Sequence, residues 1–288
     1  MRNIIALFFV WTWFTFISYS QDSVTFKTQF KPEKNYRQTL EQNNYSIIKY
    51  SGSDEFIQKL NEKGVQNPTT ASSNSTTELI MKVGKLTEKS EYPMTIEFQK
   101  TTSSDGKKII PDGTIIYGHS SNGTMPKLDS IVSNELKEDF KRTFLKSMQS
   151  TFDQIVLPEK TVKVGESFSI HTPFSMPLAD VTLEMDITTN YKLESIKSGI
   201  AYFKVLQTYT LKSKITKYTI NATGNGEGEL EYDITNNYNL KYQVNTQIKL
   251  NVQLDKFSID TTTDNSIIQT TKMTETYRDW ETDRKCVV

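Results

Sequence analysis

Between Tyr238 and Asp255 apolar side chains recur at every second position: Tyr238, Leu240, Tyr242, Val244, Ile248, Leu250, Val252 and Leu254, with Thr246 as the interruption. The residues between them are all Asn, Lys or Gln. Strand side chains alternate between two faces, so the segment predicts a strand with one apolar and one wet face. Unbroken, it spans roughly 55–60 Å at about 3.3 Å per residue. Such a strand needs long neighbours and a cover for its apolar face.

Shorter alternations supply the neighbours. Val24 to Tyr50 reads as two strands around a turn at Lys31 to Asn35. Leu79, Met81 and Val83 face Met94, Ile96 and Phe98 in a hairpin, and Thr114 to Gly118 is a short strand closed by a loop, His119 to Pro126. Val181 to Ile187, Asn190 to Ser195, Gly199 to Lys212, Thr219 to Ile234 and Phe257 to Thr276 continue the array. Ser53 to Lys63 reads as a short helix capped by Ser53 or Asp54 and ended by Gly64. The polar stretch Gln66 to Thr77 reads as a mobile loop.

A different period governs Ser133 to Ile155. Leu136, Phe140, Phe144, Met148 and Phe152 recur every four residues, with Glu135 and Glu138 in the first turn and Ser133 as N-cap. This predicts one long amphipathic helix ended before Pro158. The fold class expected is α+β, mostly β: a curled, long-stranded antiparallel sheet, a half-barrel, with the helix at about 133–155 packed on its apolar face. Residues 21–277 form one domain of two similar halves, 24–126 and 158–277, joined by that helix.

Composition places this domain outside the cytoplasm. Met1 to Ser20 has a short basic start at Arg2, an apolar run from Ile4 to Ile17 and a small-x-small end at Ser18 to Ser20, the pattern of a signal peptide. The chain of 288 residues carries 34 basic and 34 acidic residues, so no net field recruits nucleic acid. Mean hydropathy is −0.52, and no later segment has the apolar length of a membrane helix. Cys286 is the single cysteine, which excludes an intramolecular disulfide and suits bacterial export to the periplasm or beyond. Arg278 to Val288 breaks the alternation and resembles a translated sequencing-adapter read-through, so that tail, Cys286 included, is expected to be non-native.

Candidate chemistry is sparse. Gly224, Gly226 and Gly228 open a strand rather than a helix, which argues for close backbone packing and against a phosphate loop. Glu227, Glu229, Glu231 and Asp233 share the wet face of that strand, and the plain expectation is pairing with lysines opposite rather than a metal site. His119 and His171 have no third ligand at metal spacing, and no G-x-S-x-G elbow is present. The chain is therefore expected to be no enzyme, with no metal and no cofactor.

The leader, the segment Pro158 to Phe168 (PEKTVKVGESF) and the Gly-x-Gly-x-Gly at 224–228 together resemble an uncharacterised family of exported bacterial β-rich proteins. That resemblance implies a fold and no site residues. The architecture is also similar to periplasmic lipoprotein-carrier and lipid-binding half-barrels. The expectation is an envelope binding or carrier module for a lipid or other apolar small molecule held between sheet and helix. Phe140, Phe144, Met148, Tyr242, Val244 and Ile248 would line the site. The alternatives are a filled-core module that binds an envelope protein and, less favoured, an outer-membrane barrel.

Overall fold

The computed structural model describes residues 22–27, 29–106, 108, 110–121, 124–154, 159–178, 181–211 and 219–275. The leader at 1–20, the tail at 278–288, Ile155 and Pro158 lie outside the described residues.

The strands are β1 (Ser23–Phe26), β2 (Lys34–Gly52), β3 (Thr69–Val83), β4 (Glu91–Ser103), β5 (Ile115–Ser121), β6 (Lys127–Val132), β7 (Lys160–Lys163), β8 (Ser167–Leu178), β9 (Val181–Lys197), β10 (Ile200–Leu211), β11 (Thr219–Asp233), β12 (Tyr238–Gln253) and β13 (Phe257–Glu275). The helices are α1 (Asp54–Glu62) and α2 (Glu138–Gln154). Eleven strands form one antiparallel sheet in the order β6-β5-β4-β3-β2-β13-β12-β11-β10-β9-β8, and β1 pairs with β7 in a separate ribbon. Among the described residues the large sheet is open. Its edges are β6, which is short and lies beside α2, and β8, which carries Pro173 and Pro177. Prolines cannot donate to a further ladder, so they blunt that edge.

The founding alternation folds as one strand of 16 residues, β12. Its apolar row meets Leu230, Gly228, Gly226, Gly224, Ala222 and Ile220 of β11 in register. Gly228 is required there, because a Cβ on it would stand 1.9 Å from the Gln243 carbonyl oxygen. At that position β11 approaches β12 more closely than a side chain permits.

Two separate lids cover the apolar face. The β1–β7 ribbon drops Val24, Phe26 and Val162 onto Leu193, Ala201, Phe203, Val205, Leu230, Tyr232 and Val244. Phe26 sits among Phe168, Tyr191, Phe203 and Tyr232 at centroid distances of 5.1, 5.7, 5.6 and 4.9 Å. The Tyr232 hydroxyl donates to the Lys27 carbonyl (2.6 Å) and accepts from the Lys27 N–H (3.1 Å), tying the chain just after β1 to β11. On the other half, Phe144, Leu145 and Met148 of α2 pack against a cluster of Tyr36, Met81, Val83, Met94, Ile96, Phe98, Ile116 and Tyr238.

Three expectations need correction. Helix α2 begins at Glu138 rather than Ser133. The Ser133 hydroxyl instead accepts from Thr114 Oγ1 at 3.1 Å, which holds that segment against the start of β5. The stretch expected as a mobile loop, Gln66 to Thr77, is ladder from Thr69 onward, paired with β2 from Thr69↔Ile48 to Thr77↔Leu40. Asn67 anchors its start by donating to the Tyr50 carbonyl (2.8 Å) and accepting from the Tyr50 N–H (2.9 Å). Its polarity reflects a strand with no buried residue from Thr69 to Ile80. The loop expected over His119 to Pro126 starts late, since β5 continues to Ser121. Helix α1 follows its expectation: the Ser53 side chain accepts from the Phe56 N–H and Gly64 takes a positive φ after the last turn.

Candidate functional site

The wet face of the sheet carries an open groove. Antiparallel partners directly opposite share a face, so the registers define rows across the strands. Ser72, Tyr45, Asp264, Gln247 and Asn225 form one row from β3 to β11. Asn74, Asn43, Ser266, Asn245 and Glu227 form a second row on the same face, two residues further along each strand. All ten line an open groove of about 560 Å³, with Asn44, Asn265, Thr246 and Gly226 between the rows.

The groove is rich in amides, with two carboxylates, Glu227 and Asp264, among its lining residues. Six of its lining residues are asparagines, and none is Lys, Arg or an aliphatic side chain. Glu227 is paired with Lys204 (2.6 Å), and Asp264 accepts from Gln247 Nε2 (2.9 Å). The Glu227 contact holds the Lys204 ammonium above the usual lysine range. The side-chain amides of Asn43, Asn74, Asn225 and Asn245 make no side-chain hydrogen bond with another described residue and stand exposed. Tyr45 is 44% exposed. Beneath the groove β2, β13, β12 and β11 are paired on both sides, whereas among the described residues β3 meets β4 only from Asn74 onward and has one neighbour from Thr69 to Ser73.

Of the six residues expected to line an apolar site, four are divided between the clusters under the two lids. Phe144 and Met148 pack on the β2–β5 cluster, whereas Tyr242 and Val244 belong to the cluster under the β1–β7 ribbon. Phe140 is 40% exposed and stacks on Phe144 at 5.8 Å. Ile248 lies opposite Gly224. The Tyr242 hydroxyl accepts from Gln207 Nε2 (3.1 Å), which also donates to Thr189 Oγ1 (3.2 Å), while the Tyr209 hydroxyl donates to Gln207 Oε1 (2.9 Å). Burial pushes the Tyr242 phenol well above the ordinary tyrosine range. That hydroxyl is committed to a network within the sheet.

The remaining candidates are accounted for locally. Lys204 lies between the acidic residues of β11, opposite Glu229 and bonded to Glu227. His119 Nδ1 contacts Asp129 Oδ2 at 3.1 Å, and His171 Nδ1 contacts Thr188 Oγ1 at 3.0 Å. Among the described residues no group of His, Cys, Asp or Glu is placed to hold a metal ion, and no helix is long and apolar enough to cross a membrane.

No family model matches the chain. No curated protein matches it. Solved structures similar to it include Pseudomonas aeruginosa OccK11 (OpdR), at 6% identity and a TM-score of 0.28 over 86% of this chain and 98% of that one. Another is P. aeruginosa OpdQ, at 7% identity and a TM-score of 0.24 over 83% and 98%. A third is a mutant of the Rh. blastica porin, at 8% identity and a TM-score of 0.23 over 82% and 100%. Likeness at that level carries no argument about this chain.

The groove went unnoticed in the sequence because each of its rows is assembled from five strands. One local signal was present. Asparagine is depleted in strands, yet Asn43, Asn44, Asn74, Asn225, Asn245 and Asn265 all sit in strand interiors. Thr246, the one break in the founding apolar row, lies at the same level.

Proposed function

We propose that the chain is an exported, non-catalytic binding module of the bacterial envelope, and that it takes its ligand in the wet-face groove. The observation that carries this reading is the pair of five-residue rows, which present free amides over a hollow of about 560 Å³, a volume within the usual range of ligand sites. The signal-peptide pattern of Met1 to Ser20 supports export. An open sheet supports a water-facing location, because lipid would leave its two edge strands unpaired.

An apolar ligand held by a half-barrel curl is the second reading. Its support is a strip of partly exposed side chains on the apolar face, Ile48, Leu211, Ile248, Leu250 and Ile259. The placement of Phe144 and Met148 in one cluster and of Tyr242 and Val244 in the other weighs against it.

Native mass spectrometry of the protein purified after export, followed by extraction, tests the two. The groove reading expects a retained polar mass that Ser266→Trp displaces and Phe144→Ala leaves in place. A retained apolar mass lost in Phe144→Ala would reverse the assignment.

A further inference from the structure

We infer that the groove binds a neutral, hydroxyl-rich glycan chain lying across the strands, an inference that rests on the groove being the ligand site. Sugar hydroxyls both donate and accept, and side-chain amides do the same through NH₂ and C=O. Four exposed amides, those of Asn43, Asn74, Asn225 and Asn245, have no bond to another described side chain. Their capacity faces the hollow. Tyr45, in the same row as Asn225, is 44% exposed, an apolar body with a polar tip suited to the C–H face of a pyranose.

The remaining chemistry narrows the class. No Lys or Arg lines the groove, so nothing there neutralises a phosphate or carboxylate, and Glu227 and Asp264 would repel one. No aliphatic side chain lines it, so an acyl chain would bury its surface against amides. A peptide would need backbone partners to dock as an added strand; beneath the groove β2, β13, β12 and β11 already have both neighbours, which leaves only the short β3 edge from Thr69 to Ser73 at one end. Dimensions agree with a chain ligand. From β3 to β11 the rows cross four strand gaps, roughly 19 Å at about 4.8 Å each. Each gap is comparable to the length of one sugar unit.

Isothermal titration of the exported protein with cellohexaose, xylohexaose and maltohexaose is the test, with an oligogalacturonate as anionic control. At least one neutral hexasaccharide should bind and the anionic one should not. Tyr45→Ala should weaken binding about tenfold, and Asn43→Ala with Asn245→Ala about as much again. Phe140→Ala should leave affinity unchanged, and circular dichroism should show all variants folded. Binding that ignores the Tyr45 and asparagine variants overturns the groove as the site. Binding of the anionic oligomer in preference overturns the neutral class. If no hexasaccharide binds, the glycan inference fails. In that case a polar non-glycan or peptide mass retained in native mass spectrometry, and displaced by Ser266→Trp, keeps the groove as a binding site. Its absence overturns both.

Discussion

Alkali should unfold this protein through two tyrosines, one under each lid. Tyr36 is 1% exposed and Tyr232 is 0% exposed, and burial pushes each phenol from the ordinary 10.0 up to about 12. A group whose pKa is raised by folding stabilises the fold fully below its unfolded pKa. That contribution is lost as pH climbs toward the folded value, so the window is pH 10 to 12. At pH 11 the unfolded phenol is about nine-tenths ionised and the buried one about one-tenth, a difference of about 1.4 kcal/mol per tyrosine, rising to about 2.3 kcal/mol at pH 12. The pair therefore removes about 3 kcal/mol by pH 11 and about 5 kcal/mol by pH 12, against a typical total of about 5–15 kcal/mol. Tyr191, raised to about 12, and Tyr242 push in the same direction. Urea unfolding at pH 8, 10, 11 and 12 should show this loss, with tyrosinate absorbance rising together with loss of sheet. The double variant Tyr36→Phe, Tyr232→Phe lacks the hydroxyl bonds to Lys31 and Lys27. It should be weaker at pH 8 and should lose about 3 kcal/mol less than the parent between pH 8 and 11. An equal loss in parent and variant would refute the reasoning.

The lids and the sheet seam give three further expectations, all read by urea unfolding at neutral pH. Phe26→Ala removes the ring that contacts four aromatics and should cost about 3–5 kcal/mol. Gly228→Ala, with its new methyl against the Gln243 carbonyl, should cost about 1–3 kcal/mol. Gly226→Ala should cost less, because the nearest atom there is a side-chain methyl of Thr246. On α2, Phe140→Ala should change stability by under about 0.5 kcal/mol, whereas Met148→Ala should cost about 1–2 kcal/mol.

Strand alternation was the most legible feature of the sequence. The extents of β9, β10, β11 and β12 follow from period-two patterns that each strand carries within itself, whereas β13 alternates only weakly and is held by its pairing with β2 and β12. Ser53 with Gly64 likewise marked both ends of α1. The β3 ladder was illegible because Thr69 to Thr77 has no apolar face to alternate, and its order comes from pairing with β2. The start of α2 was misread because Leu136 continues the four-residue period while the Ser133 hydroxyl is claimed by Thr114. The candidate site was hidden for a third reason. Register between strands far apart in sequence places Asn43 beside Ser266 and Asn245 beside Glu227, and no local window contains that information.

The seam between β2 and β13 bears on how the chain reaches this state. These strands, each 19 residues long, are paired along their whole length, and β13 is the last strand described. The sheet therefore closes at its centre with residues more than 200 positions apart. Until β13 has emerged from the ribosome, β2 and β12 both present bare edges and neither half can join the other. Loop closure on this scale makes folding slow. The two meanders on either side pair neighbouring strands, so it is their union into one sheet that waits for β13, and until that seam forms the chain can still be threaded through a membrane pore.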